Sequence, residues 1–137
     1  FKLKFIGSLA PNIKENILRL GLDKYSEFLG FLDYSDVIKE IVNADYLLAC
    51  THEQRHVPGK LFEYMRAKKP IIVFGDPNEE VKELITKAGL GKYYSFNDAA
   101  EDFFDFADNI SYNERNIICH NRKNISIELE NILNKVC

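Results

Sequence analysis

Long apolar runs are missing from this 137-residue chain: the longest are about five residues, against the roughly 20 that a membrane-spanning helix needs. No signal-peptide pattern precedes them, so the chain reads as cytoplasmic, with no transmembrane segment. An excess of positive charge is missing too. The 18 Lys and Arg residues against 21 Asp and Glu give a net charge of −3 with the signs mixed, which excludes the basic face of a nucleic-acid scaffold. One small anion could still be bound locally. Cysteine is scarce: Cys50, Cys119 and Cys137 form an odd set without metal-ligand spacing. Cys50 is expected to close a buried strand, where a free thiol behaves as a small hydrophobe. No internal repeat, low-complexity segment or linker interrupts the chain, and its length suits one domain with a real core, residues 1–137. Phe1 rather than Met comes first, and residues 1–6 already read as a strand, so a piece of a longer protein is expected.

What is present is a repeated alternation of strand and helix. Phe1 to Ile6 alternates apolar and charged residues before Gly7 and Ser8 break it. Pro11 suits a first helical turn, Ile13, Ile17, Leu18 and Leu20 supply an apolar stripe, and Gly21 stops the helix. Glu27 to Phe31 reads as a second strand, and Ser35 as the cap of a helix carrying Val37, Ile38, Ile41 and Val42. Tyr46 to Cys50 and Pro70 to Phe74 are apolar throughout, the pattern of strands buried on both faces in a parallel sheet. Between them the spacing predicts a loop and a helix opening near Pro58 and Gly59. Glu79 to Ala88 is a fourth helix, Gly89-Leu90-Gly91 ends it, and Tyr93 to Phe96 is an edge-like fifth strand. Asp98 to Ile110 reads as a helix burying Phe103, Phe104, Phe106 and Ala107. An amphipathic helical tail from Asn113 to Val136 follows, with Ile125, Ile127, Leu129, Ile132, Leu133 and Val136 as its apolar side. The alternation predicts an α/β fold: a Rossmann-like, doubly wound parallel sheet of five strands with right-handed crossovers.

Ligands of such sheets sit beyond the carboxyl ends of the strands. The loop from Thr51 to Gly59 is the longest at that end and the richest in anion-meeting side chains: His52, Arg55, His56 and, just beyond, Lys60. The following helix directs free N–H groups and its positive dipole end into the same place, an arrangement that suits a phosphate. Glu63 stands one turn after Lys60 and could accept hydrogen bonds from a ribose diol. On residue types alone, an ordinary i,i+3 surface pair of Lys60 and Glu63 is the favoured reading. His52 and His56 would suit a metal only on a helix, which Pro58 and Gly59 oppose, so no metal is expected. No Gly-x-Ser-x-Gly nucleophile elbow occurs. Two other classes stay open: a non-catalytic flavodoxin-like or receiver-like binding module, and an interaction domain that docks through its tail.

Val57-Pro58-Gly59-Lys60-Leu61-Phe62-Glu63-Tyr64-Met65, followed by Lys69-Pro70-Ile71-Ile72, resembles the donor-site signature of group 1 (family 4) glycosyltransferases of the GT-B fold. Phe28-Leu29-Gly30-Phe31, Ala44 to Leu48 and Gly89-Leu90-Gly91 resemble further elements of the same domain, in order. The resemblance implies binding of a nucleotide-diphospho-sugar as substrate, with no separate cofactor. It implies retaining transfer to an acceptor held by the remaining domain of the same full-length protein, in polysaccharide biosynthesis. Carried over, Glu63 would bind the ribose hydroxyls, the backbone around Gly59, Lys60 and Leu61 the diphosphate, and residues near Phe31 and Leu32 the base. Where many members carry a second Glu, eight residues before the first, this chain has Arg55, with Glu53 the nearest carboxylate. Peripheral membrane contact is left open to the full-length protein, and this chain alone is not expected to turn over. The family domain opens with a further strand and helix, central in the order 3-2-1-4-5-6, which this chain lacks. If that gap closes, the expected order is 2-1-3-4-5; the alternative is that a neighbouring chain fills it.

Overall fold

The computed structural model describes residues 1–120, 123, 124, 126 and 127 of the chain. Strands and helices alternate as the sequence predicts: β1 (Leu3–Ile6), α1 (Pro11–Arg19), β2 (Ser26–Gly30), α2 (Tyr34–Asn43), β3 (Leu47–Thr51), α3 (Lys60–Ala67), β4 (Ile71–Gly75), α4 (Glu79–Ala88), β5 (Gly91–Ser95), α5 (Phe103–Asp108) and α6 (Glu114–Ile118). A short 3-10 turn, Asp23–Tyr25, leads into β2. Contacts divide the chain into two compact units, Phe1–Asn43 and Ala44 onward.

In the first unit β1 and β2 form a two-stranded parallel sheet, with Leu3 opposite Ser26 and Phe5 opposite Phe28. The Phe5 and Phe28 rings stack at 5.3 Å, and Lys4 pairs with Glu40 of α2 at 2.5 Å. Pro11 opens α1 as expected. The predicted α1 stripe is only partly covered: Ile17 is buried, while Leu18 and Leu20 are 63% and 65% exposed. Ser35 does not cap α2; the helix starts at Tyr34, and the Asp33 carbonyl takes the first N–H groups, those of Asp36 and Val37.

The second unit holds a three-stranded parallel sheet in the order β3-β4-β5, in unbroken register from Leu47, Ile71 and Gly91 to Thr51, Gly75 and Ser95. The ladders thus give the runs 2-1 and 3-4-5 of the expected order as two separate sheets. The β1–β3 pairing that would join them into one five-stranded sheet is not among the ladders of the described residues. α4 shows why its residues form a helix there. Asn78 caps it, Glu79 and Glu80 meet its positive end, Lys87 its negative end, and Gly89 stops it at φ 70°, a left-handed conformation that glycine adopts without strain.

One face of this sheet, carrying Leu47, Ala49, Ile71 and Val73, is fully covered; Leu61 and Met65 of α3 and Val81, Ile85 and Ala88 of α4 are buried with it. Burying each of the larger side chains contributes about 2 kcal/mol. The opposite face is covered over β4 and β5, where Phe103 and Ala107 of α5 pack on Tyr94 with Ile72 and Phe74 beside them. It is open over β3. Leu48 is 47% exposed and Cys50 is exposed, so β3 alternates instead of being buried on both faces as its composition suggested. α5 is also shorter than the Phe-rich stretch implied. Phe103 and Ala107, four apart, share its buried stripe, which turns Phe104 outward to 60% exposure, edge-on to Tyr46. α6 packs on α3 and α4 through Asn113 N–H to the Ala88 carbonyl at 2.8 Å and Lys68 to Glu114 at 2.6 Å. Most of the predicted amphipathic tail lies outside the described residues. Among those described, no helix is long and apolar enough to cross a membrane.

α5 is anchored to β5 by a polar cluster. Lys92 pairs with the Asp102 carboxylate, and the Tyr94 hydroxyl donates to it at 2.7 Å. The Lys92 hydrogen bond and then that of Tyr94 hold the Asp102 carboxyl below the usual carboxylate range. Burial, reinforced by Asp102, pushes the Tyr94 phenol up. A lowered folded pKa contributes stability above the ordinary carboxylate range that is lost as pH falls through the folded value. Thermal unfolding of wild type and Asp102→Asn from pH 6 to pH 2 should therefore show the variant a few degrees less stable at pH 6, the gap closing in acid. A gap constant across that range contradicts the assignment.

Candidate functional site

The carboxyl ends of β3, β4 and β5 are held together by one hydroxyl network. The Tyr93 hydroxyl donates to the Asp76 carbonyl, so its contact with Thr51 Oγ1, at 2.7 Å, is received from the buried threonine hydroxyl. Asp76 N–H in turn donates to the Thr51 carbonyl at 3.1 Å. Gly75 lies inside this network. A Cβ there would stand 2.0 Å from Thr51 Oγ1, 2.4 Å from the Thr51 carbonyl oxygen and 2.6 Å from the Tyr93 hydroxyl.

From this platform the chain leaves β3 as the loop 52–59. Among the described residues, 52–57 make no backbone–backbone hydrogen bond. The loop is instead held by Asn78, at the α4 N-terminus, whose side-chain amide donates to the carbonyls of Glu53 at 2.7 Å and His56 at 3.0 Å. The His52 ring stacks on Phe96, just past β5, at 5.2 Å. Cys50, Thr51, His52, Glu53, His56 and Pro58 line a cavity of about 200 Å³. Partial burial raises the Cys50 thiol pKa, and the nearby Lys60 charge partly offsets that.

The loop feeds α3 through a tight turn. Leu61 N–H donates to the Pro58 carbonyl at 2.9 Å and Phe62 N–H to Gly59 at 3.2 Å. No side chain caps α3. Gly59 and Lys60 N–H thus make no backbone hydrogen bond among the described residues and open beside the loop, at the positive end of the helix dipole. Glu63 is half-buried one turn further on. It is close enough to Tyr64 that its charge, after burial, raises that phenol's pKa.

Of the residues that the sequence singles out, Gly59, Lys60, Leu61 and Glu63 are gathered on the first turn of α3, with Gly59 and Lys60 exposed. The Leu61 side chain is fully buried and its N–H is already donated, so it serves as an anchor for that turn. Arg55 is exposed in the same loop. Phe31 and Leu32 belong to the first unit, just after β2, with Phe31 84% exposed. Sequence reasoning did not single out Thr51, Tyr93 or Asn78. Asn78 had a legible signal, an Asn between Pro77 and two glutamates at a helix start. Thr51 and Tyr93, 42 residues apart, had none. Gly75→Ala should cost about 3 kcal/mol in urea unfolding, because all three clashing atoms are held by the network; a loss under about 1 kcal/mol contradicts the clamp.

No curated protein matches the chain. A family model described as glycosyl transferases group 1 matches residues 1–111, from β1 past the end of α5. That span takes in both sheets, the loop after β3 and the first turn of α3, and with most of its length matched the chain belongs to the group 1 glycosyl transferases, a family whose chemistry is the transfer of glycosyl groups.

Proposed function

We propose that this chain supplies the donor side of a retaining glycosyltransferase, binding a nucleotide-diphospho-sugar at the loop 52–59 and the start of α3. The observation that carries the reading is the first turn of α3. Two exposed residues whose N–H groups make no backbone hydrogen bond among the described residues, Gly59 and Lys60, stand at a helix N-terminus, with a half-buried carboxylate, Glu63, one turn deeper. A diphosphate accepts hydrogen bonds from those N–H groups and is stabilised by the helix dipole and the Lys60 ammonium. Glu63 accepts from the two ribose hydroxyls, which fixes the orientation of the nucleotide. Arg55, exposed in the same loop, reaches the sugar or diphosphate end. As the glycosyl bond breaks, negative charge grows on the departing diphosphate, and the same N–H groups and cations stabilise it most at that moment.

The acceptor is held by another domain of the full-length protein. The product fits polysaccharide assembly in the cytoplasm. Calorimetric titration with UDP, GDP and a flavin tests the reading. One of the two nucleoside diphosphates should bind, and Glu63→Ala should weaken that binding ten- to a hundredfold, as expected for hydrogen bonds to a charged acceptor. Flavin binding with no response to either nucleotide would make the chain a flavodoxin-like module instead.

A further inference from the structure

Asn78 does more than a helix cap requires. Capping α4 uses only its Oδ1, which accepts from Val81 N–H at 3.0 Å; Ser, Thr or Asp would serve equally. Asn78 is 1% exposed, and both protons of its side-chain amide are directed the other way, onto the carbonyls of Glu53 and His56. Those carbonyls belong to a stretch with no backbone–backbone hydrogen bond among the described residues. Of the residues able to cap, only Asn carries an acceptor for the helix and two donors for the loop on so short a side chain. The backbone of Asn78 is extended, φ −136° and ψ 92°, the geometry of a residue just outside a helix.

We propose that Asn78 is the positioning residue of the loop 52–59: it locks that loop to the rigid start of α4 and so sets where His52, His56 and the first turn of α3 stand. The consequence for donor binding rests on the reading given above; the tether itself does not. Because the residue is buried and its hydrogen-bonding groups are shared between helix and loop, it touches no ligand. It acts through the backbone of Glu53 and His56. Without it the loop would exchange its two held carbonyls for water and sample open conformations, with the cavity beside Cys50 no longer shaped. Gly59 and Lys60 would still start a helix, but a nucleotide would have to order the loop as it bound, which lowers its apparent affinity.

Asn78→Ser separates the two roles, since serine retains the helix cap and removes both amide donors. Trypsin cleavage after Arg55, exposed within the tethered segment, reports loop opening under native conditions. It should accelerate about tenfold or more with two hydrogen bonds lost, while cleavage after Lys82 and Lys87 in α4 stays at the wild-type rate. Equal cleavage after Arg55 in wild type and variant, with only a lowered melting temperature, would reduce Asn78 to a cap. A readout on the wild-type chain covers a variant that does not fold: both side-chain amide protons of Asn78 should exchange slowly with solvent, and fast exchange overturns the tether. Nucleotide titration then tells the two claims apart. If wild type binds no nucleoside diphosphate but Asn78→Ser still accelerates cleavage after Arg55, the donor reading fails and the tether stands.

Discussion

The second unit depends on one constraint at the carboxyl end of its sheet: three parallel strands must end close enough together to share a hydroxyl. Tyr93 of β5 reaches across to the Asp76 carbonyl after β4 and receives the Thr51 hydroxyl of β3. Parallel strands have no hairpins to fix their relative ends, so this contact does the work a turn would do in an antiparallel sheet. It is possible only because Gly75 leaves the space between them empty. The loop after β3 and the turn into α4 both start from these fixed points. Asn78 then links those two segments to each other.

This arrangement sets the helix start and the loop of the site on fixed supports. The helix N-terminus that would meet a diphosphate is anchored from below by the fully buried Leu61 and Met65. The loop above it carries exposed side chains, among them His52 and Arg55, on a backbone tethered at Glu53 and His56. Anchored donors with little freedom to reorganise are what stabilises a departing anion most.

Much of this was legible in the sequence, for physical reasons that differ by element. α4 could be placed to the residue because acidic start, basic end and glycine stop are all local signals. The first turn of α3 was legible from Pro58 and Gly59, and the family from the ordered motifs around it. Burial was read less well. β3 is apolar throughout, but composition says only that a strand could be covered on both faces, not that a helix is there to cover it, and Leu48 and Cys50 remain exposed. The same holds for Leu18 and Leu20 of α1. Alternation predicted parallel strands joined by helices; the runs 2-1 and 3-4-5 came from the strand order that the family resemblance implies, and a β1–β3 neighbourhood depends on which strand is available to that edge. The Thr51–Tyr93 contact was illegible because nothing local marks two hydroxyls so far apart in sequence.

The central claim is that the start of α3 is a diphosphate site, and backbone amide resonances test it most directly. On titration of the chain with UDP or GDP, the Gly59 and Lys60 amide signals should move furthest, and should stay in place when the corresponding nucleoside is added without its phosphates. Shifts that spare Gly59 and Lys60 and fall elsewhere, or that nucleoside alone reproduces in full, would contradict the account.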